Sequence, residues 1–238
     1  VDGGRPAHHG ALGADLDAPL GGQSRNLGPV KRYRSLVGRY DVFAAVQCTT
    51  HVRGRWFTGL NLLRAAGVSA VRGILNGTCN YILTRMEAGS SYEDALSEAQ
   101  EKGYAEADPT GDVEGFDAAG KVVILANLLM GEPIRMDDVD RTGISGLTPE
   151  DIVAAAEAGE RWKLIGSVER AGGVVKAVVS PQRVPSTHPL SSVGGAMNAV
   201  TFDTQILGEV TLVGPGAGRL ETGYSVLVDL LEIHRTHG

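Results

Sequence analysis

The sequence predicts an α+β protein: a mixed, largely antiparallel sheet with helices packed on one face. Three observations carry this. Residues 162–170 and 173–181 flank a short turn at 171–173, and residues 197–204 and 208–214 flank another at 205–207, so each pair reads as an antiparallel hairpin. Ahead of these hairpins lie helix-like segments with recognisable caps and glycine stops, which place the helices together against the sheet. No internal repeat or heptad run points to a solenoid or a coiled coil.

The elements follow in chain order. Residues 1–46 are rich in Gly, Pro and Arg without a period of 2 or 3.6, and read as loop or disorder, with a short strand or helical turn at 42–46. Residues 59–67 read as a helix stopped by Gly67, a residue suited to a left-handed cap. VSAVRGI, 68–74, alternates as a strand. A helix over 76–88 has Asn76 or Thr78 to accept the open N–H groups of its first turn and Gly89 to end it. Ser91 with Asp94 starts a further helix that Gly103 closes. After an irregular stretch, 116–130 reads as a helix with an almost wholly apolar second half. Thr148 before Pro149, with Asp151 at the third helical position, starts another over 149–159. Residues 188–197 read as a short helical turn with a Gly-rich exit, and 220–238 as an amphipathic helix after GPGAG.

Composition narrows the function classes. With 238 residues and 42% hydrophobic content the chain is long enough to bury a proper core. A net charge of −6 without a basic stripe argues against nucleic-acid or anionic-membrane binding. No apolar run approaches a membrane span, and the two cysteines, Cys48 and Cys79, form neither a disulfide framework nor metal-ligand spacing, which points to a reducing cytoplasm. His8 and His9 lack an acidic or cysteine partner at ligand spacing, so no metal site is expected.

The chemically dense stretch is 103–121, GYAEADPTGDVEGFDAAGK. Asp117 and Lys121 are one helical turn apart and leave the same face, while Glu106, Asp108 and Asp112 lie in a Pro- and Gly-punctuated loop that can fold toward them. Clustered carboxylates beside one amine suit an amino-acid-like substrate and a proton transfer. A solvated loop feeding a helix with a surface ion pair stays open as the alternative. Two glycine-rich helix starts, Asn76-Gly77-Thr78 and 214–218, each follow a strand and can offer bare N–H groups to an anion or carboxamide. Neither is specific alone, and no GxGxxG follows a strand. His188 before Pro189 reads as a turn residue. Cys79 near a helix start reads as a small packed side chain, although that position can lower a thiol pKa.

RGILNGTCNYIL, GYAEADPTGDVEGFDAAGKVVILA, HPLSSVGGAMNAVTFDT and LGEVTLVGPGAG, in that order, resemble the catalytic and dimerisation region of homoserine dehydrogenase, from about residue 59 to the C-terminus. The resemblance implies an oxidoreductase that interconverts L-aspartate 4-semialdehyde and L-homoserine with NAD or NADP, on the route to threonine and methionine, as a homodimer. It implies catalytic roles for Lys121, as proton donor and acceptor, and for Asp117, which positions it. Glu106, Asp112, Tyr104 and Thr78 are implied to bind the substrate, and Asn76, Gly77, Gly214, Pro215, Gly216 and Ala217 to approach the cofactor. The strand–GxGxxG–helix domain of the family has no counterpart here, so the expected organisation is an N-terminally shortened chain. Residues 1–46 are then an irregular remnant of the nucleotide-binding domain and 47–238 the catalytic, substrate-binding and dimerisation domain, with weak or no cofactor binding by this chain alone. TTHVRGRWFTG replaces the family's cation-binding segment, and Gly111 replaces a bulkier residue. A non-catalytic homologue serving as a dimerisation or ligand-sensing module, or an unrelated structural domain, are the alternatives.

Overall fold

A computed structural model describes residues 65–216 without a break, together with Leu63 and scattered positions from 223 to 234. The expected loop at 1–46 lies outside the described residues, as does most of the 220–238 helix; of the 59–67 helix, positions 63 and 65 are helical, and Gly67 takes φ +72°.

Strand β1 (Val68–Ile74) leads into α1 (Gly77–Glu87), α2 (Tyr92–Glu101), the single turn α3 (Thr110–Val113) and α4 (Phe116–Leu125). The short β2 (Val139–Arg141), α5 (Pro149–Glu157) and the hairpins β3 (Glu160–Ala171)–β4 (Val174–Pro185) and β5 (Met197–Thr204)–β6 (Gly208–Pro215) complete the order. The six strands form one sheet, β2-β4-β3-β1-β5-β6, in which only β2 and β4 pair in parallel. This is the α+β fold with a mixed, largely antiparallel sheet that the hairpins predict.

Local chemistry sets the ends of the helices. The Ser91 hydroxyl accepts from the Asp94 N–H, and Thr148 and Asp151 form a reciprocal capping box. The predicted 116–130 helix is instead regular only to Leu125 and widens to a π turn over Ala126–Met130. There the Asn127 amide donates to both the Val123 and Ile134 carbonyls, and an inserted side-chain bond of this kind competes with the regular ladder.

Alternation along the strands separates two faces. Val71, Leu164, Val168, Val200 and Phe202 face the helices in the main core, against Ile82, Leu83, Val122 and Leu125. Their neighbours Ile74, Ile165 and Ala199 point to the opposite face, where Leu190 and Val193 around the 3₁₀ turn Pro189–Ser192 cover them. His188 caps that turn through Nδ1, which accepts from the Leu190 N–H, as its reading as a turn residue expects. Lys163 is also buried; its ammonium stands 3.7 Å from Glu87 at the end of α1, whose other carboxylate oxygen takes Arg161 at 2.8 Å. Burial pushes the Lys163 pKa down, against the pull of Glu87.

Two glycines position α4. Gly166 on β3 faces it, and a Cβ there would come within 2.9 Å of Val122 and 2.7 Å of Leu75, so the bare backbone lets the helix lie close to the sheet. Gly115, at φ +77°, turns the chain from α3 into α4. An L side chain at such a φ costs about 1–2 kcal/mol, and a Cβ at 115 would also press Val179 at 3.1 Å. Gly115→Ala is therefore expected to lower the thermal midpoint, by roughly 2–4 °C per kcal/mol for a chain of this size; an unchanged midpoint in a melting curve would show that the turn carries no such constraint.

Candidate active site

The site is built where the central strand ends. β1 lies between β3 and β5, and the chain leaves it through Leu75 and Asn76 into α1. Asn76 is extended, with φ −129° and ψ 113°, so its side chain turns back over the first helical turn, where Oδ1 accepts from the Cys79 N–H at 2.8 Å. That choice of acceptor leaves the Asn76 amino group as a pair of donors. Nδ2 lies 2.7 Å from Asp112 Oδ1 and 2.9 Å from Asp117 Oδ2.

Asp112 sits on α3 and Asp117 in the first turn of α4. One turn further on, Lys121 Nζ donates to Asp117 Oδ2 at 2.7 Å and to the Leu75 carbonyl at 2.9 Å. The Lys121 side chain is 3% exposed and that of Asp117 24%, so the amine is held from the core while the carboxylate opens outward. Ala118, Ala119, Val122, Val123 and Leu125 are all buried, which anchors the turn that carries the pair. This is no surface ion pair on a solvated loop, the alternative that spacing alone left open. An ammonium withdrawn from water needs such short, charge-assisted bonds to stay charged.

The remaining predicted residues divide. Thr78 does not cap α1; its hydroxyl donates to the Tyr104 carbonyl at 2.6 Å, tying the loop after α2 to the start of α1. The Tyr104 ring is exposed and lies 5.0 Å from that of Tyr81. Glu106 is exposed, and its carboxylate makes no hydrogen bond or ion pair among the described residues; its backbone carbonyl accepts from Gln100. Asp108 accepts from the Thr110 N–H rather than joining the cluster. The glycine-rich stretch after the predicted strand 208–214 starts later than expected: Gly214 lies in β6 as that strand predicts, and Pro215 extends it, the two pairing with Asn198 and Met197 on an edge strand where proline breaks no inner ladder. Ala217 lies outside the described residues.

Residues 58–231 match the family described as homoserine dehydrogenase. The chain belongs to the homoserine dehydrogenase family. It is 48% identical to an NAD(+)-dependent homoserine dehydrogenase of Pseudomonas canavaninivorans over 175 residues, which is 73% of this chain and 50% of that protein. Among solved structures, a homoserine dehydrogenase of S. aureus superposes with a TM-score of 0.67 at 44% identity, covering 71% of this chain and 42% of that one. One from Thiobacillus denitrificans gives 0.70 at 39% identity, covering 75% and 43%. The chain thus spans about half the length, or less, of these relatives.

Sequence reasoning overlooked one polar residue of this homoserine dehydrogenase-family site. Asn198 is buried on β5, with Nδ2 3.4 Å from the same Leu75 carbonyl that takes Lys121. Its signal was an amide at an inward position of an alternating strand, in register with Val200 and Phe202. Among the described residues no group of three or more His, Cys, Asp or Glu side chains is arranged to hold a metal, and no helix is long and apolar enough to cross a membrane.

Burial raises the Asp112 pKa, reinforced by the charge of Asp117 and opposed chiefly by the Asn76 amide. The Cys79 thiol is pushed well up by burial and by the same two carboxylates, so the helix start does not activate it; Sγ instead donates to the Asp112 carbonyl at 3.2 Å. For Asp112, a folded-state pKa above the ordinary 3.8 means stability that is present below that value and lost as pH rises through the raised one. Asp112→Asn keeps the acceptor for Asn76 and removes the charge. Its urea midpoint, relative to that of the native chain, is expected to rise from pH 4 to pH 7; a relative midpoint that falls over this range would contradict the assigned electrostatics.

Proposed function

We propose that the protein supplies the substrate and proton-transfer machinery of a homoserine dehydrogenase, interconverting L-aspartate 4-semialdehyde and L-homoserine with a nicotinamide cofactor. The observation that carries this is the buried Lys121 ammonium, fixed by Asp117 and the Leu75 carbonyl beside a second carboxylate. The cofactor, when bound, supplies or accepts the hydride. Its nicotinamide end is assigned to the start of α1, where the Gly77 and Thr78 N–H groups have no partner among the described residues; the side-chain space that Gly77 and Gly216 leave is taken up by the Ala196 carbonyl and by Asn198. Asn76, assigned by resemblance to the cofactor, has its amide committed to Cys79, Asp112 and Asp117.

In the reductive direction charge develops on the former aldehyde oxygen, and Lys121 donates its proton there; in the oxidative direction it takes the hydroxyl proton. Asp117 holds the amine in place. Asp112 faces the substrate's ammonium, and a cation there favours its ionised form, which its surroundings otherwise disfavour. Glu106, exposed in the loop after α2, reaches the same ammonium in this reading. The module alternative is disfavoured by Lys121, an amine held against the partly exposed Asp117, since a binding module has no need of a proton carrier there. The homodimer, the cytoplasmic setting and the place in threonine and methionine synthesis belong to the same proposal, as does the choice of NAD or NADP.

With the chain joined to a nucleotide-binding domain of the family, Lys121→Met is expected to lower kcat for homoserine oxidation by about 10²–10⁴, with an unchanged circular-dichroism spectrum. Turnover within threefold of the native protein would overturn the assignment of the proton carrier.

A further inference from the structure

Asn198 stands beside the site and takes no part in the proton transfer described above. Its position on β5 is one that apolar side chains occupy two and four residues on, at Val200 and Phe202, both buried. An amide there is 3% exposed, and its Oδ1 has no hydrogen-bond partner among the described residues. A buried acceptor left unpaired is destabilising, so packing does not explain the residue. Its orientation is nevertheless determined. The Leu75 carbonyl can only accept, so the amino end must face it, and a flipped amide would set two acceptors against each other.

The surroundings are shaped for this side chain. A Cβ on Gly216 would lie 2.1 Å from Asn198 Nδ2, and one on Gly77 would lie 2.6 Å from the Ala196 carbonyl and 3.3 Å from Asn198 Oδ1. The end of β6, the start of α1 and the start of β5 therefore converge on an amide whose amino group bonds the Leu75 carbonyl. That carbonyl also receives Lys121 Nζ at 2.9 Å. A carbonyl oxygen has two lone pairs, and with both engaged its direction is set. A lysine on a four-carbon stem needs such a fixed acceptor to stand in one place.

We propose that Asn198 is a positioning residue, which holds the Leu75 carbonyl and thereby keeps the Lys121 ammonium against Asp117. Its functional meaning rests on Lys121 as the proton carrier; its geometry does not. The test is Asn198→Leu, which deletes the donor and fills the space. In the 238-residue chain labelled at lysine Cε, the Lys121 order parameter is expected to fall from the rigid range to below about 0.6, with the thermal midpoint unchanged or higher. Joined to a nucleotide-binding domain, the same variant is expected to lose roughly tenfold in kcat with KM for homoserine within twofold, the pattern of a proton carrier that is present but misplaced.

A Lys121 as ordered in the variant as in the native chain overturns the proposal, whatever happens to kcat. Loss of Lys121 order together with full activity in Lys121→Met would instead leave the positioning intact and sink the reaction assigned to the lysine. If Asn198→Leu does not fold, Asn198→Ala takes its place with the same expected loss of order; failure of both to fold makes the residue purely structural and overturns the role.

Discussion

One amide organises the site. Asn76 spends its oxygen on the Cys79 N–H and its nitrogen on Asp112 and Asp117, so a single side chain starts α1 and gathers two acids from two other elements. The acids lie 36 and 41 residues further along the chain. Because Asn76 follows the central strand, which is paired on both sides, the amide is presented from the most constrained part of the sheet. Replacing it with an apolar residue would open the helix start and leave two neighbouring carboxylates without their shared donor.

Around that amide the charges balance in a particular way. Two carboxylates close together raise the cost of ionising both, and at Asp112 burial and the charge of Asp117 push the pKa up. The Lys121 ammonium reaches Asp117 out of a helix whose buried face leaves it little freedom. The close approach of α4 to the sheet depends on missing side chains as much as on present ones, since Gly166 admits Val122 and Leu75 where any Cβ would collide. A site of this kind is rigid in its amine and open in its acids, which suits a ligand that brings its own positive charge.

Much of the fold was legible because the deciding interactions are short in sequence. Ser91 and Thr148 cap helices through residues three positions away, the hairpins turn within two or three residues, and Asp117 meets Lys121 across one helical turn. The same locality explains the errors. Pro215 looks like a turn residue from composition, yet pairing with Met197 extends the strand through it. Cys79 sits at a helix start that favours a thiolate, and burial beside two carboxylates reverses the effect. The π turn after Leu125 depends on an Asn127 bond to Ile134, beyond the helix itself.

By itself, then, the sequence determined the order of the longer strands and helices, the caps, and the motif that identifies the family, including the Asp117–Lys121 spacing, but not the short β2 or the single turn α3. Tertiary structure alone decided which of the acids meet. Asp112 and Asp117 share the Asn76 amide, while Glu106 and Asp108 stay outside the bonded cluster. It also decided that the amine is buried and that its anchor carbonyl is shared with Asn198, 123 residues away. The physical reason is common to these cases: a helical spacing sets where a side chain points, but its partners and its distance from water depend on segments that only folding brings alongside.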